Sequence, residues 1–321
     1  MKNSKWIFVL VLIVTIFAGL FYRYNIKNNG FEKTEFLFDT QCTITAYGKD
    51  AKTAVNAAFD CLAEIHDTTN YYSENSQVTK INNAAAGDEI FIGEEMKKIL
   101  TATLDVSGSS YGAFDITIAP VMELWNFSGG GNVPKHQEIQ QRLALVGADK
   151  LSYDGKSKLT KTADGVKIDL GGAAKGYAGD VAIEILKGYN VSGAVVDLGG
   201  NITCFGKNPN NKNGKWRIGL QKPFAPAGEY NDVIEIEEGA VVTSGIYQRY
   251  FENEGKRYHH IINPQTGYPA DMDYRSVTIV ADSSLYADCL ATACYILGKD
   301  KGKDLADKYS AEIYFAETID N

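Results

Sequence analysis

The sequence predicts an α+β fold, on three observations. Strand-like and helical stretches are interspersed without the regular alternation of a doubly wound sheet. Neither a GxGxxG turn nor a Walker-type phosphate loop is present. The composition is that of a folded globular chain: of 321 residues, 45% are hydrophobic and 22% charged, with 7 prolines, which suits one large domain or two closely packed ones. The net charge of −8 leaves no broad basic surface to follow a phosphate backbone, so nucleic acid is not expected as the main partner.

Lys2 and Lys5 precede an uncharged apolar run from Trp6 to Tyr22, and Arg23 closes it. The run is short for a spanning helix and long for a signal-peptide core. No Ala-x-Ala cleavage site follows, and Leu20 stands where a bacterial lipobox after Phe17-Ala18-Gly19 would place its cysteine. An uncleaved signal anchor over residues 1–23 is expected, then a linker over 24–35 and a folded domain over 36–321. The lysines before the run put the expected location at the cell membrane, with the domain outside the cytoplasm.

Within the domain, alternation predicts a strand at 40–47, and apolar spacing predicts helices at 53–66 and 94–107. Gly129-Gly130-Gly131 marks a loop, and Pro134 opens a helix expected to reach about Val146. Short strands are expected near 150–153, 158–161 and 166–170, then an amphipathic helix at 173–187 and a compact apolar strand at 193–198. Strands at 216–220, 233–237, 240–243, 257–262 and 276–280 follow, with helices at 284–297 and 303–309 and a last strand at 313–315. The five cysteines show no metal-finger spacing and read as small buried hydrophobes.

Three constellations could carry chemistry. Asp-Leu-Gly-Gly occurs at Asp169–Gly172 and again at Asp197–Gly200. Each copy ends an apolar stretch, and a helix lies between them. As a βαβ crossover, the two strands would be parallel and both turns would sit at one sheet edge. Glycine turns admit a ligand to the backbone, a helix N-terminus suits phosphate, and Lys175 adds charge there. Two ordinary tight turns with a solvated lysine remain the plain alternative. In the second constellation, Asp288 and Thr292 lie four apart, on one face of an apolar helix. They offer hard oxygens in the number Mg2+ tolerates when water and substrate phosphate complete its shell; a surface Asp beside a back-bonded Thr is the alternative. In the third, His259-His260 ends a strand, so only one ring faces a given site, and His260 is either a general base or ligand clamp or a satisfied structural histidine. Tyr72–Ser76, Gly112–Thr117 and Val242–Gly245 combine turn formers with hydroxyls or a carboxylate and would usually be capped turns.

In chain order these pieces resemble the ApbE family of flavin transferases. The matching residues are Phe38-Asp39-Thr40, Tyr72–Ser76, Gly112–Thr117 with Pro120 and Trp125, Asp169–Gly176, Asp197–Asn201, Thr243–Gly245, His260–Gly267 and Ala287–Thr292. The resemblance implies a two-lobed ApbE-type fold with mixed sheets and a flavin cleft. It implies Mg2+-dependent transfer of FMN from FAD to a threonine of an acceptor protein carrying an FMN-binding-type domain, with release of AMP. It implies the Gly172 carbonyl, Asp288 and Thr292 as metal ligands, and His260 as the base for the acceptor hydroxyl. Phe38, Ser73, Ser76, Asp115, Lys175, Asp197, Thr243, Ser244 and His260 are placed along the flavin nucleotide. Asp39 departs from the Gly commonly found there, and the absent lipobox cysteine departs from lipoprotein anchoring. An Mg2+-dependent FAD pyrophosphatase would use the same residues, and a non-catalytic FAD-binding protein is a further alternative.

Overall fold

The computed structural model describes residues 30–226 and 228–317; the expected anchor over 1–23 lies outside them. The chain opens with β1 (Gly30–Leu37) and β2 (Thr40–Gly48), paired with Leu37 opposite Thr40. Phe38 and Asp39 form the turn with φ of 52° and 58°, the left-handed backbone that two-residue hairpin loops need. β1 starts inside the stretch expected to be a linker over 24–35. It is an edge strand with Glu32, Lys33 and Glu35 along it, and edge strands protected by charge lack the apolar pattern that would reveal them.

Then come α1 (Ala51–Thr69), α2 (Gln77–Asn83), β3 (Ile90–Phe91), α3 (Glu94–Ser109), α4 (Ala119–Trp125), α5 (His136–Leu143), β4 (Leu151–Tyr153), β5 (Lys158–Lys161), α6 (Ala174–Lys187), β6 (Val191–Leu198) and β7 (Asn201–Gly206). The chain continues through β8 (Trp216–Gln221), β9 (Tyr230–Ile236), β10 (Gly239–Gly245), β11 (Tyr250–Asn253), β12 (Lys256–His259), β13 (Tyr274–Ala281), α7 (Ser284–Leu297), α8 (Lys299–Lys308) and β14 (Glu312–Glu317). Most expected elements appear, α5 shorter than foreseen. β12 stops at His259, and Ile262 makes only an isolated bridge to Pro269.

A seven-stranded sheet runs β1-β2-β6-β7-β10-β13-β14, and its pairings are antiparallel. The α+β expectation holds. The parallel crossover between the two Asp-Leu-Gly-Gly copies does not, because Val166–Leu170 joins no ladder. The Asn82 side chain takes the place of a neighbouring strand: its Oδ1 accepts from Ile168 N at 2.7 Å and its Nδ2 donates to Ile168 O at 3.0 Å. The buried Lys161 holds that loop by donating to Asn82 O at 2.8 Å. Local β pattern cannot say whether an extended segment's partner is a strand or one amide side chain.

Alternation along the strands sorts two cores. Ile44, Ala46, Ala194, Val196, Ala240, Val242, Val277 and Ile279 face the layer of α1, α6, α7 and α3. Val195, Ile202, Cys204 and Val241 face the β8–β9 hairpin, which covers the other side with Trp216, Ile218 and Ile234. A third cluster gathers on Trp125, between α4, α5 and the β11–β12 hairpin. Its indole N–H donates to Gly267 O at 2.8 Å, so the loop after His260 is fixed from below.

Candidate active site

The two glycine turns converge after all, at the N-terminal half of α7. Asp180 of α6 caps α7 by accepting from Ser283 Oγ, Ser284 N and Leu285 N at 2.7–3.0 Å. That bond set fixes which face of α7 meets α6. Gly176 lies at the crossing, where a Cβ would run into the Ser284 carbonyl, Leu285 Cα and Asp288 Cβ. Only because the helices touch there can Gly176 N donate to Asp288 Oδ2, at 2.9 Å. That amide would otherwise close the first turn of α6 on the Gly172 carbonyl. Among the described residues the Gly172 carbonyl accepts no hydrogen bond.

Asp288 is 4% exposed. Burial pushes its carboxyl above the usual carboxylate range, while Lys175, the Gly176 amide and Asn201 pull the other way. Asn201, which follows the second glycine turn, accepts from Ser284 Oγ at 2.7 Å. Its Nδ2 is buried and turned toward Asp288, which it helps to hold charged, but makes no hydrogen bond of normal length and angle among the described residues. Thr292 stands one turn beyond Asp288, with its hydroxyl 3.3 Å from Ser244 Oγ and facing Gly172, whose Cα side it shares with the Phe114 ring. Carboxylate, hydroxyl and free carbonyl thus meet in one corner. Among the described residues no three His, Cys, Asp or Glu side chains are grouped for a metal, so a cation here would rest on one carboxylate and neutral oxygens.

Lys175 Nζ donates to Gly171 O at 3.2 Å, and Asp169 shapes that turn by accepting from Gly171 N at 2.7 Å. Asp197 does the same for the second turn, accepting from Gly200 N at 3.1 Å; burial raises both carboxyls. Thr243 Oγ1 pairs with Thr278 at 2.7 Å. It also lines a cavity of about 210 Å³ between Gly199, Gly200 and the β8 strand, with Tyr247 and Gln248 on its rim.

His260 is half-buried. Its Nδ1 lies 3.1 Å from the Arg249 carbonyl, and since a carbonyl can only accept, that nitrogen carries the proton. Nε2 is therefore the free lone pair. Burial first, and then the charges of Arg249, His259 and Lys175, hold the ring far below the ordinary histidine value, at about 3. The ring is neutral at physiological pH, against the near-6.5 value expected of an unperturbed histidine. His259 points into the core, 8% exposed, with Nε2 2.9 Å from Ala270 O.

Several other residues expected along the nucleotide already have partners within the protein. Ser76 is buried and caps α2, accepting from Thr79 N at 3.0 Å. Asp115 is buried and accepts from Thr117 N and Oγ1 at 2.8 and 2.6 Å. In both, the side chain satisfies its own turn, the commonest use of Ser and Asp beside a helical start; Phe114 instead reaches Gly172. Phe38 N donates to His66 Nδ1 at 3.2 Å, and the two rings meet edge to face. Ser73 lies half-buried beside Tyr71 and Tyr72. Asp180 and Arg249 were not singled out by the sequence, and Gly176 entered only as the end of the Asp169–Gly176 segment. A carboxylate at 180 within an apolar helix was the available signal.

Residues 38–315 match the ApbE family. The chain is 33% identical over 270 residues to an FAD:protein FMN transferase of Haemophilus influenzae, covering 81% of this chain and 77% of that one. It is 32% identical over 277 residues to one of Klebsiella pneumoniae, covering 86% and 85%. Among solved structures, the ApbE protein of Thermotoga maritima matches with a TM-score of 0.81 at 31% identity, over 89% of this chain and 94% of that one.

Proposed function

The chain belongs to the ApbE family, and from that premise we propose that it transfers FMN from FAD to a threonine hydroxyl of an acceptor protein in an Mg2+-dependent reaction that releases AMP. One observation carries the reading: the Gly172 carbonyl, Asp288 and Thr292 meet beside Lys175, while His260 presents an unprotonated Nε2.

The donor set fits Mg2+. All three atoms are hard oxygens, the carbonyl is left free, and the carboxylate's burial is uncompensated except by Lys175 and two amides. When bound, the ion would neutralise charge on the diphosphate. Lys175 adds a second positive charge where the leaving AMP phosphate gathers negative charge. The threonine oxygen bonds to the FMN phosphorus, and the bond from that phosphorus to the bridging oxygen breaks. AMP departs with the bridging oxygen, and the hydroxyl proton passes to His260 Nε2. A bound diphosphate would offset the Arg249 and Lys175 charges that help to depress His260, making it a better base once substrate is present.

The acceptor is proposed to carry an FMN-binding-type domain. The location proposed is the cell membrane, with residues 1–23 as anchor and the catalytic domain outside the cytoplasm, supported by Lys2, Lys5 and the apolar Trp6–Tyr22 run. The test is incubation with FAD, Mg2+ and such an acceptor, read by in-gel flavin fluorescence and by mass. A labelled acceptor bearing FMN on threonine is expected. Free FMN and AMP without labelling would assign a pyrophosphatase instead.

A further inference from the structure

We propose that Arg249 is a phosphate-binding cation of this cleft and that Asp39 is its placeholder counter-ion, exchanged for the diphosphate when substrate binds. The proposal rests on FAD being the substrate, and it adds a residue and a switch to that reading.

The second glycine turn places the pair. On one flank, Gly199 is packed so tightly against Thr40 that a Cβ would strike its side chain, which sets the Phe38-Asp39 turn beside Gly199-Gly200. On the other flank, the Gln248 amide lies 3.6 Å from where a Gly200 Cβ would be, and Arg249 is the next residue. An ion pair, Asp39 Oδ2 to Arg249 Nη2 at 3.5 Å, joins the two flanks across the turn. It is long and half-exposed, with 64% and 49% of the two side chains open to solvent, so water and salt weaken it and it exchanges readily. The Arg249 backbone, by contrast, is fixed. Its carbonyl accepts both the backbone N–H and the Nδ1–H of His260, leaving only the guanidinium free to swing.

Three further observations point to an anionic ligand as the guanidinium's partner. Arg249 and Lys175 act on the same two groups, Asp169 and His260, so two cations face one space from opposite turns. The chain carries a net charge of −8, and a diphosphate approaching it needs local cations; a planar guanidinium fork matches phosphate oxygens. Finally, Asp39 holds φ of 58° after Phe38 at 52°, the left-handed backbone of the two-residue hairpin loop, which fixes where its side chain leaves the chain and sets the carboxylate opposite Arg249.

The experiment measures binding of FAD, ADP, inorganic pyrophosphate and riboflavin to the purified chain, in chelator at low salt. Arg249→Gln is expected to weaken FAD, ADP and pyrophosphate by about tenfold and to leave riboflavin unchanged. Asp39→Asn keeps a side chain that tolerates the left-handed backbone and removes the competing charge. It should tighten the three phosphate ligands by about threefold, and this gain should vanish in the double variant. Melting curves confirm that each variant is folded. Equal loss of riboflavin and FAD in Arg249→Gln, or an Asp39→Asn gain that persists without Arg249, overturns the proposal. So does failure of the wild-type chain to bind any phosphate ligand. If ADP and pyrophosphate bind as described but FAD does not, the clamp stands and the flavin reading falls.

Discussion

Replacing Asp288 by asparagine should separate the metal from the fold. Asn keeps the shape of the side chain and an oxygen for the Gly176 amide, now 2.9 Å from Asp288 Oδ2, but it removes the only carboxylate of the donor corner. Because burial disfavours the charged carboxyl there, the metal-free variant should be as stable as the wild type within about 1 kcal/mol, or slightly more stable. The difference appears on adding Mg2+. A ligand that binds only the folded state stabilises it by RT ln(1 + [L]/Kd), about 2.7 kcal/mol at a hundred times Kd. For a domain of this size that raises Tm by about 5 °C. The wild type in chelator should therefore gain about 5 °C across an Mg2+ titration, and Asp288→Asn should gain none. Its loss of Mg2+ affinity should exceed the roughly 10–100-fold that residues merely supporting a metal ligand cost. Differential scanning fluorimetry with matched ionic strength measures this. An equal Mg2+-dependent rise in the variant would refute the assignment of the corner.

The two histidines should part company. His260→Ala should keep FAD affinity within a few-fold yet slow single-turnover transfer by about 10²–10⁴-fold; weaker FAD binding with normal turnover at saturation would make His260 a clamp. His259 is 8% exposed with its value lowered to about 4, chiefly by burial. It contributes stability above the unfolded histidine value near 6.5 that is lost as pH falls through 6.5 toward 4, on the order of 3 kcal/mol in all. His259→Gln should flatten that stretch of the urea-unfolding profile, and an unchanged slope would refute the link. Asn82→Ala should release the amide and carbonyl of Ile168, lowering stability by about 1–3 kcal/mol and loosening the Asp169–Gly172 turn. Faster hydrogen exchange at Ile168 and Gly171 checks it, and unaltered exchange there would count against the Asn82 clamp.

What could be read from the sequence, and what could not, divides along the range of the contact involved. Asp288 and Thr292 share a face because four residues is about one helical turn, a fact of local geometry that no tertiary partner can change. The glycine turns were legible for the same reason, as Asp169 and Asp197 each bond within their own turn. The sequence leaves the choice open where one local pattern serves two ends. Ser76 and Asp115 are suited both to capping a helical start and to meeting a nucleotide, and the capping bonds are present. Val166–Leu170 looks like a strand whether its partner is a ladder or Asn82, 86 residues earlier. The roles that the sequence does not show all act over long separations: Asp180 on α7, the packing of Gly176 against Ser284, Arg249 against Asp39. These long-range contacts give the local motifs their positions. Without the close crossing at Gly176, the Asp288 face would not lie against the Gly172 carbonyl. The corner therefore depends on a glycine and an aspartate cap that hold no ligand themselves, and substitutions at Gly176 or Asp180 should disturb Mg2+ binding without touching any donor atom.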